Sequence, residues 1–98
     1  MKAELIKHES GRNTYALKGE IVNSADFAFL DACIEEKLSV HLDLSGITYI
    51  NSSGFGGLVE EAMNFTEARL ELILSGLAPG IRKTLAVLGA EELLHFKD

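Results

Sequence analysis

Proline and cysteine each occur once in the 98 residues, and tryptophan does not occur at all. The lone cysteine, Cys33, has no partner within the chain, so no intrachain disulfide can staple the fold; that usage favours a reducing compartment. Cationic charge is also scarce. Nine Lys and Arg stand against fifteen Asp and Glu, a formal net charge of −6. Such a surface repels phosphate backbones and anionic headgroups, which argues against nucleic-acid and membrane-surface binding. Arg82-Lys83 is an isolated pair and forms no basic stripe. Long apolar runs are missing too, since charged residues interrupt each one well short of the ~20 residues a membrane helix requires. Met1-Lys2-Ala3-Glu4 carries no apolar segment of a secretory signal. These absences predict a cytoplasmic protein.

What the chain does have is apolar content, 47% of its residues, enough to fill the small core of one domain spanning residues 1–98. Residues 3–7 and 14–18 read as strands joined through Gly11-Arg12-Asn13, a connection short enough for an antiparallel hairpin. Phe27, Leu30, Ile34 and Leu38 then recur at spacings of three and four, predicting a helix over 25–37 with Ser24 as its cap. Val40, Leu42 and Leu44 alternate with His41 and Asp43 as a third strand, which Ser45-Gly46 should end, leaving 47–50 as a short apolar link. A helix over 52–65, a strand over 70–74 and a helix opened by Pro79 and ended by Gly89 follow, with Ile81, Leu85 and Leu88 in line. Residues 91–96 read as a last helical turn. The order predicts an α/β fold, a mixed sheet of about four strands flanked by helices, with the second to fourth strands parallel. Its expected core is Leu42, Leu44, Leu58, Ala62, Leu72, Leu74 and Leu85.

The helix at 52–65 begins strangely. Asn51-Ser52-Ser53-Gly54-Phe55-Gly56-Gly57 puts three glycines within four residues of a first turn, although each weakens a helix by about 1 kcal/mol relative to alanine. Either the helix crosses a strand closely, or another molecule's backbone must approach it. The serines are equally double-edged. They can cap free N–H groups, and a serine at a helix start is also a favourable place to carry a phosphate, because the N–H donors and dipole stabilise the added charge.

Catalytic constellations do not assemble. A nucleophilic Ser52 or Ser53 requires a base, yet His8, His41 and His95 are scattered, and no Gly-x-Ser-x-Gly elbow is present. Gly54-Phe55-Gly56-Gly57 lacks the Lys-Ser or Lys-Thr of a phosphate-binding loop. No His/Cys spacing suits a metal, no cofactor motif occurs, and Glu60-Glu61 and Glu91-Glu92 read as solvated helix faces. The expectation is a binding module, not an enzyme.

The sixteen residues from His41 to Gly56, reading His-Leu-Asp-Leu-Ser-Gly-Ile-Thr-Tyr-Ile-Asn-Ser-Ser-Gly-Phe-Gly, resemble the signature of STAS domains, the family of bacterial anti-sigma factor antagonists. Leu17-Lys18-Gly19-Glu20-Ile21 is similar to that family's entry into its first helix, and Pro79 to Gly89 to its closing helix. The resemblance implies that an anti-sigma factor with serine kinase activity docks on Asn51, Ser52, Ser53, Gly54, Phe55 and Gly56. It implies phosphorylation of Ser53, release of the partner, and resetting by a serine phosphatase. Asp43 matches the acid at the end of the family's central strand. Two positions depart: Asn51 and Asn23 stand where the family carries aspartate. That departure favours an alternative, a non-switching STAS scaffold that binds a partner in a chemotaxis-like, stress-sensing or transport complex.

Overall fold

The computed structural model describes residues 1–97. Gly11, at a φ of +78° that side chains disfavour, turns the chain between β1 (Lys2–Glu9) and β2 (Arg12–Ile21), which pair antiparallel as expected. A 3-10 turn (Ser24–Phe27), α1 (Leu30–Glu35), β3 (Ser39–Ile50), α2 (Ser52–Glu67), β4 (Leu72–Ser75), α3 (Pro79–Val87), a second 3-10 turn (Ala90–Glu92) and β5 (His95–Lys97) follow. The five strands lie in the order β1-β2-β3-β4-β5, and every pair after the first is parallel.

Period-2 alternation on β3 and β4 sends Val40, Leu42, Leu44, Leu72 and Leu74 to one side of the sheet. Leu58, Ala62 and Phe65 of α2 and Leu85 of α3 close over them. All seven residues expected in the core are at most 2% exposed. Each fully buried leucine contributes about 1.5–3 kcal/mol.

Five expectations need correcting. The helix foreseen at 25–37 is two pieces, and its cap is Asn23, whose Oδ1 accepts from the Ala25 N–H at 2.8 Å. The buried residues Phe27, Leu30 and Cys33 step by three, the period of a 3-10 turn. Ser45-Gly46 does not end β3. The strand bulges there and runs on to Ile50 beside β2, because Gly46 lets it pass the Leu17 carbonyl, which a Cβ would approach to 2.7 Å. Residues 91–96 are not one helical turn: His95–Lys97 pairs with β4 as a fifth strand and covers backbone groups of β4 that would otherwise form a free edge. Of Ile81, Leu85 and Leu88 only Leu85 is fully buried, and Leu88 is half-exposed. Finally, Glu61 is no solvated residue; it is 8% exposed.

Candidate functional site

Strand β3 delivers the chain to α2 through one residue. Asn51 is extended, donates its backbone N–H to the Ile21 carbonyl at 3.1 Å, and caps α2 by accepting the Gly54 N–H on Oδ1 at 2.8 Å. Its side-chain amide also donates to the Val22 carbonyl at 3.1 Å, binding the helix start to the loop that leaves β2. An aspartate could cap as Asn51 does but has no N–H for Val22.

The three glycines divide between the two explanations the sequence leaves open. A Cβ on Gly54 would lie 2.4 Å from the Ile21 carbonyl oxygen, and one on Gly57 would lie 2.8 Å from Ser24 Cα. Those two glycines are demanded by the helix's own contact with the end of β2 and the 3-10 turn. Gly56 has nothing within 4 Å and is exposed. Gly54 is therefore buried beneath the surface formed by its neighbours.

That surface brings together Asn51, Ser52, Ser53, Phe55 and Gly56. Both serines are exposed, and their backbone N–H groups belong to the first turn, which offers no intrahelical acceptor. Phe55 is half-buried between two shallow grooves. One, of about 340 Å³, is lined by Ser52, Phe55, Gly56, Val59, Thr84 and Leu88. The other, of about 310 Å³, runs along residues 47–50 to Ile81 and shares Phe55 and Thr84. Tyr49 is 52% exposed beside them. The sequence pattern missed the contributions of Val22, Thr84 and Leu88. Leu88's spacing looked core-facing, and nothing local marks the other two.

Asp43 lies elsewhere. Its strand neighbours Leu42 and Leu44 face the helices, so its carboxylate stands on the opposite side of the sheet. There Oδ1 accepts the Ser45 N–H at 2.9 Å, just where the β3–β4 pairing ends at the Asp43–Ser75 register. Hydrogen bonds from the Ser45 backbone and side chain hold that carboxyl below its usual range. Asp43 secures the bend of β3 and touches nothing at the serines. The histidines are also apart from the serines. His41 Nε2 pairs with Ser75 Oγ at 2.7 Å and its pKa is lowered by burial, then by the nearby Lys97 charge. His8 bonds Asn13, and His95 sits 3.6 Å from Glu71. Among the described residues no group of three or more His, Cys, Asp or Glu is placed to hold a metal, and no helix is long and apolar enough to cross a membrane.

No curated protein matches the chain in sequence. Solved structures share its fold. The anti-sigma factor antagonist SpoIIAA in its unphosphorylated form superposes with a TM-score of 0.79 at 16% identity, over 99% of this chain and 88% of that one. The Bacillus cell fate determinant SpoIIAA in its phosphorylated form gives 0.76 at 16% identity, over 99% and 92%. A serine-to-glutamate variant of RsbS from Moorella thermoacetica gives 0.73 at 14% identity, over 99% and 86%. A sulfate transporter family protein from Wolinella succinogenes gives 0.69 at 20% identity, over 88% and 76%. The STAS domain model matches residues 14–98, which include all but the first two residues of β2, the bulged β3, the Asn51-capped helix and the closing helix. By that match the chain belongs to the STAS domain family.

Proposed function

We propose that residues 1–98 form a single STAS domain acting as a partner-switching regulator, which docks an anti-sigma factor with serine kinase activity through the start of α2 and is controlled by phosphorylation of Ser53. The observation that carries this reading is the pairing of two exposed serines, on an unblocked helix start, with apolar grooves on either side of Phe55. Small exposed Gly56 lets a partner come close, while Phe55, Val59 and Leu88 offer it apolar area.

A phosphate on Ser53 has opposite consequences for the protein and the partner. The helix accepts its charge of about −1.5 to −2 through first-turn N–H donors and the dipole. A partner packed flush on Phe55 would have to desolvate that charge without a matched cation, which is unfavourable. Phosphorylation therefore breaks the complex and spares the fold, and a serine phosphatase restores binding.

The cognate kinase and ATP should place phosphate on Ser53, located by mass spectrometry. Ser53→Ala should bind as the parent does but take up no phosphate there, and Ser53→Asp should bind more weakly. No phosphate on either serine, with equal binding by parent, Ala and Asp forms, would overturn the switch.

One observation favours a second reading, a fixed STAS scaffold in a chemotaxis-like, stress-sensing or transport complex. Asn51 spends both ends of its amide on Gly54 and Val22, so the docking surface is tied down by a neutral group where the family's acid would stand. Unchanged binding after exhaustive kinase treatment is the outcome specific to the scaffold.

A further inference from the structure

The inner side of α2 is packed tightly against residues 24–35. Gly57 lies beneath Ser24 and Phe27, where a Cβ would meet Ser24 Cα at 2.8 Å and the Phe27 ring at 3.1 Å. One helical turn further on, the same face carries Glu61. This side chain is 8% exposed, and its Oε2 is buried with no hydrogen-bond partner among the described residues. From α1 the group facing it is Asp31, and from α2 itself it is Glu60; both are acidic. The 3-10 turn contributes Asp26, whose carboxylate is turned to the Val22 N–H at 3.3 Å. Beneath α2 the strands β3 and β4 present apolar Val40, Leu42, Leu72 and Leu74. No Lys, Arg or His lies within ion-pair distance of Glu61 among the described residues.

We propose that Glu61 is a proton-linked clamp, which holds residues 24–35 on α2 while its carboxyl is protonated and loosens them when it ionises. An ionised carboxylate left buried without a partner is strongly disfavoured, and a neighbouring negative charge adds repulsion. Burial first, then Asp31 and Glu60, push its pKa up to about 7. The unfolded chain releases this proton near the ordinary value of 4.5, so the native state holds it through the interval between 4.5 and about 7. Glu61's contribution to stability is therefore greatest at the acidic side of that interval and falls as pH rises through it, by up to about tenfold in the folding constant per pH unit. Above about pH 7 the carboxylate charges inside the fold. The element it faces is the shortest of the three described α-helices: α1 has six residues and no side-chain cap. Residues 22–23 lead into that segment and are bound to Asn51 by the Val22 carbonyl, so loosening reaches the rim of the serine surface. That last consequence alone rests on the docking reading.

Two partner-free measurements test the clamp, so its failure is distinguishable from failure of the docking proposal. In protein labelled with 13C at glutamate carboxyls, Glu61 should titrate more than one pH unit above the ordinary glutamate value of 4.5. Titration of Glu61 near that ordinary value overturns the proposal, and this arm needs no variant to fold. Denaturant unfolding between about pH 5.5 and 8.5 should show the parent losing stability relative to Glu61→Gln as pH rises. Amides of residues 30–35, corrected for intrinsic exchange, should open faster in the parent than in Glu61→Gln above pH 7. Parallel stability profiles and equal amide protection in the two proteins would also overturn it.

Discussion

Along its inner side α2 sets Gly54 on the Ile21 carbonyl, Gly57 on the 3-10 turn, and Leu58, Ala62 and Phe65 in the core. Along its outer side, at the same helical spacing, it sets Ser52, Phe55, Gly56, Val59 and Met63, none of them fully buried. Both sides are apolar and glycine-containing, and a helical wheel cannot tell which is packed. The difference lies in what faces each one. The inner row meets strands and a turn of the same chain, so its residue sizes are fixed by contact distances. The outer row borders shallow grooves toward α3 and residues 47–50, and Phe55 and Val59 pack only partly on the core, so the rest of its surface is free to serve something that is not part of the fold. An apolar face left half-open is the expected sign of a protein partner.

Truncation separates the two sides most sharply. Leu58→Ala opens a cavity under fully buried neighbours and should destabilise by about 2–5 kcal/mol. Met63→Ala, five residues on and 55% exposed, should change stability by no more than about 0.5 kcal/mol. Chemical denaturation of both reads the comparison, and equal losses would mean the outer row is packed after all.

The glycines give the next largest contrast. Gly54→Ala drives a methyl into the Ile21 backbone at 2.4 Å, with Ile21 and Ile50 side-chain atoms at 2.9 Å. Either β2 or the helix start must move, at a cost of about 1–3 kcal/mol or more. Gly56→Ala meets nothing within 4 Å and should stabilise the helix by about 0.5–1 kcal/mol. If a partner seats on this helix end, Gly56→Ala weakens its binding even as the melting temperature rises. Loss of stability in Gly56→Ala would break the distinction between the two sides.

Clean periodicity made much of this legible. The three central strands, α2 and six of the seven core residues follow from alternation at 14–18, 40–44 and 70–74 and from apolar spacing at 58–65, and Leu85 follows from the spacing of the helix opened by Pro79. What stayed hidden had contacts as its cause, not pattern. β5 has three residues, too few to display alternation, and exists because β4 offers it an edge. Gly46 looks like a strand terminator, but it is a bulge that the Leu17 carbonyl requires. Glu61 reads as a surface acid because acids are rarely buried without a partner, and only the packing of residues 24–35 makes it one. At the serines, the motif brought the attention to the right helix end. The grooves and the Val22 tether depend on neighbours far away in sequence.

The smallest expected effect bears most directly on which function the outer side serves. Asn51→Asp keeps an acceptor for the Gly54 N–H and adds a negative charge at the helix start, a gain of about 0.3–1 kcal/mol. It also loses the donor to the Val22 carbonyl and sets a carboxylate oxygen against that carbonyl, a loss of about 0.5–1.5 kcal/mol. The two nearly cancel, so the denaturation midpoint should move by less than about 1 kcal/mol. The loop should respond more than the fold: amides at Val22 and Asn23 exchange faster, while Gly54 remains protected by its cap. If an acid at this position serves the kinase reaction, Asn51→Asp should take phosphate on Ser53 faster than the parent does. Faster uptake at unchanged stability would mark Asn51 as a brake on a working switch. Equal, negligible uptake in both proteins would leave Asn51 as a tether alone and turn the outer side of α2 into a fixed docking face.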